Sequence, residues 1–342
     1  GSLQAMFEYQ TAISELTGLP VSNAALYEGP SSVASAGYLA LQEFKGARRR
    51  FVVSRGMHPH SRETLETYSA GYGTEVVETA LDDKGATDLE QLAAAITDDT
   101  AAVFLQQPNF LGTVEDLGPL VEAAKSKGAI VVTAVDPMTL GILKPPGEYG
   151  VDIAVGEGQP LGNRLDYGGP SFGFFAAQER FIRKMPGRIA GETVDAEGKR
   201  GFVLTLQTRE QHIRREKATH NICTAQALNA LAGVIYLSWL GKRGVVEIGE
   251  LMLRRTAYAR DALGLEGINP GPVVREFAVR VPDLDKAVTA ARAQGINPGY
   301  RLGRDYPEYE DGLLIAITER RTRADIDRLA AVLAGAREQV TA

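Results

Sequence analysis

A chain of 342 residues, 44% hydrophobic and 23% charged, has an ordinary globular composition and enough length for one large domain plus a smaller one. Its net charge of −6 argues against a general nucleic-acid binder, and its single cysteine excludes an internal disulfide framework or a multi-thiolate metal site. Neither a membrane span nor a secretory signal is expected, because no apolar run is long enough and no charged-then-apolar pattern opens the chain.

Leu3, Met6, Phe7, Tyr9, Ile13 and Leu16 fall on a helical period that Gly18 stops. "VSNAALYEGPSS" reads as a short strand and turn, after which Ser31 or Ser32 is expected to cap a helix. That helix carries a closely packable stripe of Val33, Ala36, Gly37, Ala40, Leu41 and Phe44. "RFVVS", "EVVETAL", "AAVFLQQ" and "AIVVTAV" are predicted strands, separated by helices over "HSRETLETYSA", "DLEQLAAAI" and "LGPLVEAAKSKG". Continuous β-branched strands alternating with helices predict an α/β fold, a mostly parallel sheet covered on both faces.

"DIAVGEGQPLGNRLDYGGPSFGFFA", Asp152 to Ala176, reads as a strand, a glycine-studded loop and another strand. "GFVLTLQ" looks like a further strand, and the polar "RIAGETVDAEGKRG" ahead of it is expected to be a surface excursion. Helices dominate from about Thr224 to Leu263. The breaker-rich "LEGINPGP" then divides a large domain, residues 1–265, from a small C-terminal α+β domain, residues 266–342. Cys223 is expected as a small buried hydrophobe, and Arg48 to Arg50 and Arg209 to Lys217 as solvated surface.

Several polar residues follow predicted strands, and in a parallel sheet those strand ends share one edge and face one crevice. "GPSS" could cradle a phosphate with the free N–H groups of a helix start, or Ser31 and Ser32 could simply cap it. His58 could stack on a planar ring and Asn109 reach a ring hydroxyl. Asp136, a carboxylate at the end of an apolar strand, could hold a pyridinium nitrogen protonated. Jointly these types suit pyridoxal phosphate. "GEGQPLG" is a poor dinucleotide fingerprint, since its glycines at 156, 158 and 162 are spaced one residue too long and Pro160 interrupts them.

"LQAMFEYQTAISELTGL", "ALYEGPSS", "HPHSRETLETY", "PNFLGTVEDL", "VGEGQPLGN" with "YGGPSFGFFA", "MPGRIAGETVD", "GKRGFVLTLQTREQHIRREKATHNICT" and "QALNALAGVIYLSWLGKRG" resemble the glycine cleavage system P-protein from the start to about residue 245. More narrowly the chain is similar to subunit 1, the α subunit, of the two-chain bacterial form. The resemblance implies the type I fold of pyridoxal-phosphate enzymes and a cytoplasmic glycine dehydrogenase (decarboxylating) complex, a heterotetramer with subunit 2. Glycine would be its substrate, and the lipoyl H-protein would take up the aminomethyl group. Chains of this family carry a sizeable segment before the position of Gly1, so the resemblance also implies an N-terminally short chain.

The sister subunit carries a strand-end His-Lys pair whose lysine holds pyridoxal phosphate as a Schiff base. Laid on "DIAVGEGQPLG", that pattern puts Gln159 and Pro160 where His-Lys would fall, and no lysine lies between Lys144 and Lys184. The resemblance therefore implies no catalytic residue here, cofactor held covalently by the partner, and Ser31, Ser32, His58, Asn109, Asp136 and Gln159 as vestigial cofactor contacts. Two readings compete: a stand-alone enzyme of the same fold, such as an aminotransferase or desulfurase, and a binding or scaffold protein using the vacant cleft.

Overall fold

The computed structural model describes residues 1–338; the last four residues of the expected small domain lie outside the described residues. Helix α1 (Ser2–Thr17) ends where predicted, at Gly18 in the left-handed region (φ 67°), whose N–H returns to the Ser14 carbonyl. Then come β1 (Val21–Ser22), α2 (Gly29–Glu43), β2 (Arg50–Ser54), α3 (Pro59–Tyr72), β3 (Glu75–Thr79) and α4 (Leu89–Ala95). Strand β4 (Thr100–Gln107), α5 (Leu117–Ser126), β5 (Ile130–Val135), β6 (Ile153–Glu157) and β7 (Gly173–Ala177) complete the layer.

The seven strands lie in the order β1-β7-β6-β5-β4-β2-β3. The run from β6 to β3 is parallel throughout, while β7 pairs antiparallel with both β6 and β1. Period-two alternation covers both faces. Phe51, Val53 and Phe104 pack with Val33, Ala36 and Ala40 of α2 on one side, and Val52, Val103 and Leu105 with Leu92, Leu120 and Val121 of α4 and α5 on the other.

Past β7 the chain forms β8 (Ile189–Val194), β9 (Arg200–Thr205), α6 (Gln211–Arg214) and α7 (Ala227–Leu263), the last broken at Gly241 (φ 62°, ψ 178°). A second sheet of β10 (Glu276–Arg280), β11 (Tyr300–Arg301) and β12 (Gly312–Ala316), ordered β10-β12-β11, packs against α8 (Leu284–Ala293) and α9 (Arg323–Glu338).

Four local expectations are corrected. Neither serine caps α2; Glu28 does, its carboxylate accepting from Ser31 N at 2.9 Å while Ser31 Oγ faces Glu28 N at 3.4 Å, a capping box with the acid ahead of the hydroxyl. The excursion over 188–201 is not irregular, because β8 and β9 pair as a hairpin anchored by Phe202 against Phe7 at 5.4 Å. Cys223 is exposed. Arg209 and Glu210, expected in solvent, are each 4% exposed.

Candidate functional site

The parallel run brings the C-terminal ends of β2, β4, β5 and β6 to one edge, and a cavity of about 390 Å³ opens there. Its wall includes Glu28, His58, Asp136, Glu157, Pro160 and Arg275. Of the sequence-predicted contacts, His58 and Asp136 line it, and so does Pro160; Ser31, Ser32, Asn109 and Gln159 do not.

Each absent residue has a local partner. Ser32 Oγ donates to the Glu28 carbonyl at 2.8 Å. Asn109, 1% exposed, organises the loop after β4: its amide donates to Gly85 O at 2.7 Å and Glu115 Oε1 at 2.8 Å, and its oxygen accepts from Leu111 N and Thr113 N. Gln159 folds its amide back onto the Asn163 carbonyl.

His58 N-caps α3, its Nδ1 accepting from His60 N at 3.1 Å and its ring edge-on to Phe110 at 4.8 Å. Burial, then the His60 and Arg62 charges, push its pKa down to about 4, against an opposing pull from Asp305. The folded value lies below the unfolded one, so this stability is present above about pH 6.5 and is lost as pH falls toward 4. Taking the chain from pH 7 to pH 5 is expected to cost about 2 kcal/mol through this group. Urea midpoints at the two pH values check it: His58→Gln should lose that share of the slope, and an unchanged slope would refute it.

Residues that sequence reasoning passed over decide what the cavity can hold. Glu157, the last residue of β6, points its carboxylate into the start of α2. It accepts from Gly29 N at 3.0 Å, Gln159 N at 2.9 Å and Phe172 N at 3.2 Å. Burial raises the Glu157 pKa, opposed by those three N–H groups. With Ser31 N on the Glu28 carboxylate and Ser32 N on the Glu28 carbonyl, every first-turn N–H of α2 has a partner. The position where a helix start would receive an anion is filled by the chain's own carboxylate.

Asp136 is likewise committed. One oxygen accepts from Met138 N at 3.1 Å and the other forms an ion pair with Arg275, both side chains being 17% exposed. Burial alone would lower the Arg275 pKa; Asp136 and Glu276 outweigh it and hold the guanidinium protonated. Burial raises the neighbouring Glu276, partly offset by Arg275. A sequence signal for Glu157 existed, an acid between two glycines at a strand end. Arg275 had none, since it comes from β10's approach, 139 residues from Asp136.

Three features thus disagree with a phosphate-bearing pyridine cofactor: no lysine lines the cavity among the described residues, a carboxylate holds the anion cradle, and Asp136 is paired with Arg275. The glycines at the end of β6 and just past it serve packing instead. A Cβ on Gly156 would meet the Phe174 ring and Val135 O at 2.4 Å, and one on Gly158 the Phe172 ring at 2.1 Å. Among the described residues no group of three or more His, Cys, Asp or Glu could hold a metal ion, and no helix is long and apolar enough to cross a membrane.

Residues 1–333 match the family model described as glycine cleavage system P-protein. The chain is 48% identical over 340 residues to a probable glycine dehydrogenase (decarboxylating) subunit 1 of Brevibacillus brevis, covering 97% of this chain and 74% of that one. The fold superposes with a TM-score of 0.93 and 42% identity on a crystal structure of glycine decarboxylase (P-protein) of the glycine cleavage system in inhibitor-bound form, covering 98% of this chain and 76% of that one. A NifS-like protein shares the fold alone, with a TM-score of 0.72 at 16% identity over 99% of this chain and 88% of that one.

Proposed function

The chain belongs to the glycine cleavage system P-protein family, and from that membership we propose that it works as the α subunit of a two-chain, cytoplasmic glycine decarboxylase. Its partner is a lysine-bearing subunit 2 that binds pyridoxal phosphate covalently, decarboxylates glycine and passes the aminomethyl group to the lipoyl arm of H-protein. The observation that carries this division of labour is the strand-end cavity, with Pro160 in its wall and Glu157 on the α2 N-terminus. Proline has no amine to form an imine, and the Glu157 carboxylate would repel a phosphate from the three N–H groups it occupies. No catalytic step is assigned to this chain's own cavity; its contribution is the fold that completes the assembly.

Co-expression with a subunit 2, borohydride reduction in the presence of pyridoxal phosphate, and peptide mass spectrometry test the reading. The phosphopyridoxyl-lysine is expected on the partner, with glycine–bicarbonate exchange in the complex and none in this chain alone. A stoichiometric label on one lysine of this chain would sink the proposal.

A further inference from the structure

The strand-end cavity keeps polar groups that the chain's own contacts leave unused. Arg275 engages Asp136 through Nε alone. Among the described residues its Nη1 and Nη2 find no hydrogen-bond acceptor, yet neither is sealed from water. Its neighbour Glu276 likewise accepts no hydrogen bond at either carboxylate oxygen among the described residues, and both oxygens reach water. Both side chains line the cavity of about 390 Å³. A guanidinium with two free donor groups and a carboxylate with two free oxygens therefore share one space.

The backbone beneath them is fixed. The Arg275 carbonyl accepts from Ile317 N at 2.7 Å. Gly112 (φ 91°) presses so closely on the next residue that a Cβ there would lie 2.0 Å from the Glu276 carbonyl oxygen. The strand start that carries the pair is thus in place before any ligand arrives, which spares a ligand the cost of ordering it.

The rest of the wall decides the charge of that ligand. Glu28, Asp136 and Glu157 make it acidic, and each is already engaged: Glu28 by Ser31 N, Asp136 by Met138 N and Arg275, Glu157 by three N–H groups. A lone anion meets these carboxylates and a lone cation meets the Arg275 guanidinium, so each is opposed by like charge. A molecule with both charges adds no net charge and matches both free groups. Burial raises the Glu276 pKa and Arg275 offsets that in part; an ammonium at its oxygens adds to the offset.

We propose that the strand-end cavity binds a small amino-acid zwitterion, its carboxylate on the Arg275 Nη groups and its ammonium on the Glu276 carboxylate. The volume of about 390 Å³ is roughly thirteen times a water's share of the liquid, which leaves room for a side chain larger than that of glycine. Only binding is assigned to the site, and it does not depend on a subunit 2 performing the decarboxylation.

Calorimetry of this chain without a partner at pH 7, titrated in turn with glycine, acetate and methylammonium, tests the proposal. One site of about millimolar Kd is expected for glycine, with acetate and methylammonium each about tenfold weaker or more. Glu276→Gln removes the counter-charge, and Arg275→Lys keeps a cation beside Asp136 but loses the two Nη groups; each should weaken glycine binding about tenfold or more. Side-chain 15N spectra of the wild-type chain should show the Arg275 Nη resonances move with glycine, a readout that needs no variant to fold. Acetate or methylammonium binding as tightly as glycine would reduce the cavity to a plain ion site and overturn the proposal. So would glycine binding unchanged in either variant, or Arg275 resonances that glycine leaves unmoved.

Discussion

Replacing Arg275 by alanine is expected to lower the unfolding free energy by about 3–5 kcal/mol, the usual cost of breaking a buried ion pair from one side. Asp136 and Arg275 are each only 17% exposed, so water from the cavity replaces the missing guanidinium only in part. Glu276 makes the loss worse, because Arg275 is the group that offsets its own burial. The pair also ties the end of β5 to β10, joining the main sheet to the second sheet. The double variant Asp136→Asn, Arg275→Met should recover the share owed to Asp136 and leave only the part owed to Glu276, which still lacks its cation. Urea unfolding of the two single variants and the double variant at pH 7 measures this. A loss below about 1 kcal/mol for Arg275→Ala would show the pair to be solvent-screened, as surface pairs are.

Gly158→Ala is expected to cost about 3 kcal/mol or more, or to prevent folding, although it adds one methyl group. The new Cβ would lie 2.1 Å from the Phe172 ring, far inside contact distance. The ring cannot step aside cheaply, because Phe172 is fully buried against Tyr9 at 5.9 Å and its carbonyl accepts from Gly158 N at 2.7 Å. Gly201→Ala, in β9, is the matched comparison: no atom lies within 4 Å of its Cβ position, and its effect should stay within about 0.5 kcal/mol. Thermal midpoints of the two variants decide it. Equal midpoints would mean that Phe172 yields.

Most of the large layer was legible because its signals are local. The strands β2, β4 and β5 are apolar runs, and the α2 stripe from Val33 to Leu41 is buried as its spacing predicts. The start of α2 was misread because serine is the commoner cap, while here the acid and hydroxyl exchange places. Strand β9 was expected from "GFVLTLQ", but β8 and the hairpin were missed for a related reason. The glycine-rich turn looks like loop chemistry, and β8 declares itself only by pairing, with Asp195 Oδ1 accepting from Glu197 N and Lys199 N at 2.9 Å to close the turn.

By itself the sequence determined the parallel α/β class, the shared edge on which His58, Asn109 and Asp136 follow their strands, and the proline where the resemblance calls for a lysine. These depend on periodicity, residue order and side-chain identity, which a linear chain displays directly. Only the tertiary structure decided what occupies that edge. Glu157 reaches Gly29 across 128 residues and Arg275 reaches Asp136 across 139, so the anion cradle and the strand-end carboxylate are both filled from within the chain. Local propensity extends over a few residues, whereas these partnerships exist only once β6 lies beside α2 and β10 beside β5, and that proximity is set by sheet order and domain packing.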